Sequence, residues 1–202
     1  MSLSNLEKSF VEIEGHITIW DPDTGEVMVK RRNAVHYENM SMSIAGLLAN
    51  QSGVIGNYQI RGMRFGNGGT VIDGLGNVTY KSPNTTGSAS ALYNETLSQI
   101  VDEVDADAGT NTVVAVHTNG NTYSDVITTC TLDYLSDDYA DQDTTDTATS
   151  MDGDYVFDEL SIYNANDDLL THVIFHPVQK SANRKIQVIY TLRIRTSYSD
   201  II

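Results

Sequence analysis

Cysteines, long apolar runs and an apolar leader are scarce or missing in this chain of 202 residues. Cys130 is the only cysteine, so no internal disulfide can form, and we expect the chain to fold in a reducing cytoplasm. No apolar run approaches the roughly 20 residues that a membrane-spanning helix needs. The opening MSLSNLEKSF has no apolar core, which predicts that it is not a signal peptide.

Basic residues are missing from the middle of the chain, where no Lys or Arg lies between Lys81 and Lys180. The net charge is −15. A phosphate backbone would be repelled by this acidic middle, so we do not expect broad nucleic-acid binding. The acidic surface suits solvent or a basic patch on a protein partner.

The overall composition is that of a globular protein. Hydrophobic residues make up 40% of the chain and charged residues 19%, which is unlike a disordered segment. The length fits one large domain or two small ones. Because no internal repeat and no evident linker divides it, we interpret residues 1–202 as a single domain.

Alternation of apolar and polar residues predicts strands at both ends of the chain. Residues 11–20 alternate and lead through the turn DPDTG at 21–25 into a returning strand at 26–32. Residues 112–118 and 122–134 flank an Asn-Gly dipeptide, the strongest hairpin signal in the sequence. Further strands are predicted at 58–65, 155–163, 169–176 and 185–195.

Helical spacing replaces alternation at 33–50, where Met40, Ile44, Leu47 and Leu48 recur on one side. We expect a helix of roughly three turns, inserted between strands, that packs this apolar stripe on a sheet.

Three segments are less regular. Residues 95–105 fit either a helix or a twisted strand, and the Gly/Asn/Ser/Thr-rich stretch 66–91 is either an interaction arm or locally structured. Residues 135–154 form an acidic loop. Short connections elsewhere favour antiparallel pairing. The predicted fold class is therefore mainly β: an antiparallel β-sandwich of seven or eight strands with one or two inserted helices.

The residue types that carry catalysis do not assemble into a recognisable set. GNGGT at 66–70 lacks the spacing and the Lys of a phosphate-binding loop and favours a tight turn. His172 and His176 lie on one predicted strand, roughly 13 Å apart, which is too far to share a metal ion. Cys130 lies on an alternating strand and is expected to be a buried structural thiol. We therefore predict that the chain is not an enzyme.

Acidic residues offer one further candidate, a calcium site. The Asp-rich loop could supply oxygen ligands, but its spacing fits no EF-hand, so we favour a solvated loop and expect no metal or other cofactor. DPDTGE at 21–26 is similarly interpreted as a hairpin turn. Asp158 and Glu159 are adjacent on a strand and so should face opposite sides, which argues against a pair of catalytic carboxylates.

Six stretches of the chain are distinctive when taken together: RRNAVHYENMSMSIAGLLAN, RGMRFGNGGT, YKSPN, ALYNET, TCTLDY and FDELSIYNANDDLLTHVIFHPVQK. They resemble virion structural proteins of tailed bacteriophages, most closely those of marine, cyanophage-like viruses with contractile tails. The likeness covers about Gly15 to Arg195. A looser likeness extends to the amino-terminal collar domain of phage tail fibres, although Asp158-Glu159-Leu160-Ser161 lacks the Gly that is usual there.

The resemblance implies a structural component of the particle, made in the host cytoplasm and located in the tail, neck or baseplate. Capsid decoration is an alternative that suits the acidity and size, and a host-surface glycan-binding module with exposed Tyr side chains is another. Expected partners are other virion proteins and further copies of the chain in a symmetric homo-oligomer, with no nucleic acid and no membrane. The residues that we expect at interfaces are Arg31, Arg32, Arg61, Arg64, Arg193 and Arg195.

Overall fold

The computed structural model describes residues 8–49, 58–87, 91–101, 111–134, 155–181 and 183–199. The acidic loop at 135–154 and the calcium site considered there lie outside these ranges.

Strands dominate the described chain, which contains eleven of them and one helix. The elements are β1 (Lys8–Trp20), β2 (Val27–Val35), α1 (Tyr37–Ala49), β3 (Ile60–Gly66), β4 (Thr70–Ile72), β5 (Val78–Tyr80), β6 (Glu95–Ile100), β7 (Thr112–His117), β8 (Tyr123–Leu132), β9 (Val156–Asn164), β10 (Thr171–Gln179) and β11 (Ile186–Ser199).

Nine strands form one curled antiparallel sheet in the order β6-β3-β9-β10-β2-β1-β11-β8-β7. Only two residue pairs join β10 to β2, Thr171 with Val35 and His172 with Ala34. The Arg31 guanidinium strengthens this narrow joint by donating to the Ile174 carbonyl. The short joint lets the two parts of the sheet share one core.

The mainly-β, antiparallel class is confirmed, and the curled sheet fits the predicted sandwich. The number of strands is larger than predicted for two reasons. Glu95–Ile100 is a strand rather than a helix, and a small hairpin, β4 with β5, lies within the Gly-rich stretch. Three-residue strands are too short to show alternation in a sequence.

The core follows the predicted alternation. On β11, Ile186, Val188, Tyr190 and Leu192 are all buried, while the residues between them are partly exposed. All nine residues of β9 are buried, so both of its faces are covered. Cys130 is fully buried, and its burial raises the pKa of the thiol.

The helix is present but does not pack as predicted. Met40 is buried and Ile44 half-buried, whereas Leu47 and Leu48 are 58% and 83% exposed. Two polar residues of the helix make contacts with the sheet region instead. Asn39 donates to the Leu169 carbonyl, and Ser43 accepts a hydrogen bond from Asn164.

The helix extends from Tyr37 to Ala49, within the predicted segment and with the predicted length. Residues 33–35 before it continue β2 toward its joint with β10. No helix in the described part of the chain is both long and apolar enough to span a membrane.

The predicted turns are confirmed. Gly25 and Gly120 have φ of 75° and 91°, the left-handed region that glycine enters without strain. In the first turn, one oxygen of Asp21 accepts the amides of Asp23 and Thr24 at 2.9 and 3.1 Å. That carboxylate therefore closes a hairpin, as predicted.

Candidate functional site

A cluster of buried hydrogen bonds is built around Asp158 and Glu159 in the middle of β9. Both side chains are fully buried. Carboxylates are rarely buried without partners, because removing a charge from water is costly. Their partners therefore reveal what this part of the fold holds in place.

Asp158 binds the Gly-rich loop that follows β3. Its two oxygens accept the backbone amides of Gly69 and Thr70 at 2.8 and 2.6 Å, and the Thr70 hydroxyl donates to it as well. Burial raises the pKa of this carboxyl above its ordinary value, against the opposing effect of these hydrogen bonds. The GNGGT motif is thus a bent connection between β3 and β4 that a buried acid fixes on β9.

Gly69 passes directly over β9. A Cβ at this position would lie 3.1 Å from the Glu159 Cβ and 3.2 Å from the Asp158 carbonyl oxygen. Only a residue without a side chain approaches the strand this closely without displacing it.

Glu159 accepts four hydrogen bonds. One oxygen takes the amides of Gly68 and Asn94 at 3.1 and 2.8 Å; the other takes the Tyr93 amide at 2.9 Å and the His172 imidazole at 3.0 Å. Burial acts to raise the pKa of Glu159, but the bonds from His172, Asn94 and Tyr93 outweigh it and hold the pKa below its ordinary value. This carboxylate therefore stays charged inside the protein.

The tautomer of His172 follows from its second contact. Its Nδ1 lies 2.9 Å from the backbone nitrogen of Asn84, which can only donate. Nδ1 therefore carries no proton, and Nε2 donates to Glu159. Through these two bonds the fully buried ring ties the segment after β5 to β9 and β10.

Further contacts lock the same segment. The Tyr93 ring lies 5.6 Å from the His172 ring and 4.4 Å from the Lys81 ammonium, and its hydroxyl donates to the Ser82 carbonyl. The described part of the 66–91 stretch is therefore locally structured, the second of the two predicted possibilities.

The two acids relate to one another in a way that the sequence did not suggest. Asp158 and Glu159 make no hydrogen bond to each other, yet they bind consecutive amides of one loop, those of Gly68, Gly69 and Thr70. A general acid or base must reach a substrate proton. These groups are buried and already bonded, so the cluster stabilises loops rather than presenting a reactive group.

The other candidate ligands are not brought together. His176 is exposed and its ring contacts the Tyr80 hydroxyl at 3.4 Å, whereas His172 is buried. A bulge between Ile174 and Val178 changes the pairing of β10 with β9 in this region. Within the described residues, no group of three His, Cys, Asp or Glu side chains could hold a metal ion.

A buried cation was missed at the sequence level. Lys180 is fully buried after β10, and its ammonium donates to the Ser181 carbonyl at 3.0 Å. Burial lowers the pKa of Lys180 to about 8, against the attraction of Asp133. The sequence shows only a lysine next to a turn, with no sign of burial.

Three of the six expected interface arginines share one outer face of the sheet. Register pairs Arg193 with Glu14, Arg195 with Glu12, and Arg32 with His16. Because Glu12, Glu14 and His16 alternate along β1, all three arginines lie on the same side.

These three arginines differ in how strongly other residues of the chain already bind them. Arg193 makes two hydrogen bonds of 2.8 Å to Asp125 and lies 4.0 Å over the Tyr123 ring, so it is engaged within the chain. Arg32 is 71% exposed and has one ion pair of 3.2 Å with Glu14. Arg195 lies 3.8 Å from Glu12, also at the surface.

The other three expected interface arginines lie elsewhere on the sheet. Arg31 spans the joint between β2 and β10. Arg64 lies on β3, where it contacts Glu95 and Asp167 and lies 4.2 Å over the Tyr163 ring; Arg61 is half-buried on the same strand. The six therefore do not form one patch.

No protein-family model, no curated protein and no solved structure matches this chain.

Proposed function

We propose that the chain is a structural component of a bacteriophage particle, in the tail, neck or baseplate, that assembles with other virion proteins in symmetric copies. The sequence resemblance to virion proteins of tailed phages, which extends over most of the chain, supports this role. The proposal assigns no catalytic residues.

The observation that carries a scaffolding role is the use made of the buried ionisable groups. Asp158, Glu159 and His172 bind backbone amides from three separate loop positions and hold them on β9 and β10. Fully bonded buried groups of this kind fix the loops in one conformation on the sheet. Fixed loops suit a component of a symmetric particle, because each copy must present the same surfaces to its neighbours.

Arg32 and Arg195 offer a surface for contact with neighbours. They project from the outer face of the sheet and are held only by single surface ion pairs, which contribute little to stability. An acidic patch on another virion protein can therefore recruit them at low cost.

Mass spectrometry of purified particles tests the proposal. The chain is expected among the proteins of mature virions, and gold-labelled antibody in electron microscopy is expected on the tail, neck or baseplate. Label on the head would instead favour the capsid-decoration alternative. Absence of the chain from mature virions contradicts both.

One surface feature favours a second candidate, the binding of host glycans. A shallow depression of about 320 Å³ lies at the ends of β7, β8 and β11, and the Tyr123 ring forms part of its lining. The other lining residues are His117, Asn121, Thr122, Ser124, Ile194 and Thr196. Aromatic rings and polar groups together suit sugars, but Arg193 already covers the Tyr123 ring. Titration of the chain with extracted host glycans tests this role, and no binding removes it.

A further inference from the structure

Asn-Gly occurs twice in the chain, at Asn67-Gly68 and at Asn119-Gly120. This dipeptide has a reactivity of its own, because the backbone nitrogen of the glycine can attack the side-chain carbonyl carbon of the preceding asparagine. Glycine has no side chain to obstruct the approach, and its backbone enters unusual conformations without strain. The rate of the attack then depends on how tightly the fold holds the two reacting groups.

The first pair is held at both of its reacting groups. The Gly68 amide donates to the buried Glu159 carboxylate at 3.1 Å. The Asn67 side-chain oxygen accepts a hydrogen bond from the side chain of Asn94, and the Asn67 backbone amide donates to the Asn94 carbonyl at 3.1 Å. The Gly68 carbonyl accepts a hydrogen bond of 2.6 Å from Lys81. The segment is therefore fixed on both sides of the bond that joins the two residues.

The partner of the Gly68 amide adds a chemical obstacle. Attack requires this nitrogen to lose its proton, and the lost proton now lies in a hydrogen bond to a charged carboxylate. Breaking a hydrogen bond to a charged acceptor slows a reaction about tenfold or more. A Cβ at Gly68 would lie 2.7 Å from the Asn94 nitrogen, so the surroundings leave little space for the main chain to turn. We therefore expect Asn67 to react slowly.

The second pair has neither of these restraints. Asn119 and Gly120 form the tip of the turn between β7 and β8, and both are exposed. The turn is closed around them by a 3.0 Å hydrogen bond from the Asn121 amide to the Thr118 carbonyl. In the described part of the chain, no hydrogen bond holds the Gly120 amide or the Asn119 side chain. The attacking nitrogen is therefore open to water, and the side chain can rotate toward it.

An Asp-Gly pair at Asp73-Gly74 could react in the same way, but it is also held. The Asp73 carboxylate accepts the amides of Leu75 and Asn77 at 2.8 and 2.9 Å, and the Asn77 side chain at 2.8 Å. The hydrogen bonds from Asn77 hold the pKa of Asp73 below its ordinary value. Asp73 is therefore a carboxylate, and its negative charge repels a nucleophile. The hairpin tip differs from both of the other pairs.

We propose that Asn119 is a site of spontaneous deamidation, whereas the fold protects Asn67. The Gly120 nitrogen gives up its proton and bonds to the Asn119 side-chain carbonyl carbon. The bond from this carbon to the side-chain nitrogen breaks, and ammonia leaves. Water then opens the cyclic succinimide at either carbonyl, which yields an aspartate or an isoaspartate. In sum, an amide and water give an acid and ammonia, without oxidation or reduction.

The reaction changes both charge and backbone at one point of the surface. Each conversion adds a negative charge within the stretch 108–124, which contains no Asp, Glu, Lys or Arg. An isoaspartate lengthens the main chain within the turn, so the hydrogen bond between Asn121 and Thr118 is disturbed. Asn121 also lines the depression at the end of β7, so both products alter that wall. The inference is independent of the proposed function, because the reaction needs only the folded chain and water.

The test is incubation of the full folded chain at mildly alkaline pH, where the attacking nitrogen loses its proton more readily. Samples are digested with pepsin in acid, where the reaction is slow. Trypsin is unsuitable, because no Lys or Arg lies between Lys81 and Lys180. Mass spectrometry locates each conversion, and enzymatic methylation detects isoaspartate. We expect Asn119 to convert about tenfold or more faster than Asn67, with isoaspartate among the products.

Unfolding separates the effect of the fold from that of the local sequence. In guanidinium chloride the contacts of Asn67 are lost, and the two sites should convert at similar rates. Asn119→Gln should abolish the conversion at the hairpin tip, because glutamine forms the larger ring much more slowly. Asn67→Gln is the matched control and should leave the rate at Asn119 unchanged. Circular dichroism checks that each incubated sample and each variant is folded.

Three results would contradict the proposal. An Asn119 that stays intact in the folded chain, while it converts in the unfolded chain, would overturn it. Equal rates at Asn67 and Asn119 in the folded chain would show that the fold protects neither site. Conversion to aspartate without any isoaspartate would exclude the succinimide, and with it the attack by Gly120.

Discussion

The imidazole of His172 donates its Nε2 proton to Glu159 across 3.0 Å, and both side chains are completely buried. The other ring nitrogen accepts the amide of Asn84. One acid and one base, on β9 and β10, thus hold three loop segments on the sheet, those at Gly68, Asn84 and Asn94. This relationship accounts for the described Gly-rich connection being ordered against the sheet.

Replacement of Glu159 by Gln is expected to destabilise the protein strongly. Each oxygen of Glu159 accepts two donors, so the new amide NH2 would face N–H groups in either orientation. Hydrogen bonds to a charged acceptor contribute about 1.5–3 kcal/mol each, and we expect a loss of at least about 3 kcal/mol in the free energy of unfolding. Urea denaturation measures it.

The matched control is Glu26→Gln, at an exposed acid that pairs with Arg184 at 2.6 Å. Surface ion pairs contribute little, so its unfolding free energy should barely change. Equal effects of the two substitutions would show that the buried cluster has no special role.

The Glu159 contribution should disappear in acid. Its pKa in the folded protein is lowered from an ordinary value of 4.5, so the folded state favours the charged form. The stabilisation is fully present above pH 4.5 and is lost as the pH falls through the lower folded value. The difference in unfolding free energy between the wild type and Glu159→Gln should therefore shrink below pH 4.5. A difference that stays constant or grows in acid contradicts this account.

Gly15 on β1 is expected to tolerate no side chain. A Cβ at this position would lie 1.7 Å from Asn33 Oδ1 and 2.7 Å from the Tyr190 hydroxyl. Gly15→Ala should lower the free energy of unfolding by about 1–3 kcal/mol, the usual cost of overpacking. Thermal denaturation measures the change, and Gly74→Ala is the control because nothing lies within 4 Å of a Cβ there.

A second substitution separates crowding from other effects at Gly15. Asn33→Ala removes the closest atoms and should recover most of the loss in the Gly15→Ala background. The Asn33 side-chain atoms are buried without a hydrogen-bond partner, so this change breaks no hydrogen bond. Additive effects of the two substitutions would rule out the proposed collision.

The sequence predicted the long strands because their alternation follows directly from the pleat, as in β11. It could not predict the buried cluster, because Glu159 binds main-chain amides 65 and 66 positions away that leave no side-chain signature. One signal was available: two adjacent acids in a strand with apolar residues on both faces. Such acids must be buried, and a strand buried on both faces needs internal partners for them.

The helix shows a part of the packing that its apolar periodicity does not determine. Met40 and Ile44 pack as their spacing predicts, but Leu47 and Leu48 do not. Apolar periodicity identifies a helix and one of its sides. It does not show how far along that side the neighbouring sheet extends, which depends on the tertiary arrangement.

Within the proposed function, Arg32→Glu should reduce incorporation into particles while leaving the isolated protein stable. Arg32 is largely exposed and has one weak ion pair, so its reversal alters the surface charge without removing a core contact. Arg31 is unsuitable for this test, because its guanidinium holds the joint between β2 and β10. Quantitative mass spectrometry of particles that carry the variant measures incorporation. Arg193→Glu is the contrasting variant: it is expected to lower the stability of the isolated protein as well, because Arg193 is bonded to Asp125. Unchanged incorporation of Arg32→Glu would exclude this face as an interface.

The most direct test of the particle assignment is a reconstruction of the whole virion by electron cryomicroscopy, at a resolution that separates strands. The account predicts density for the curled nine-stranded sheet, repeated by the symmetry of the tail, neck or baseplate, with the outer face of β2, β1 and β11 against a neighbour. A complete map in which no density fits this sheet would contradict the account.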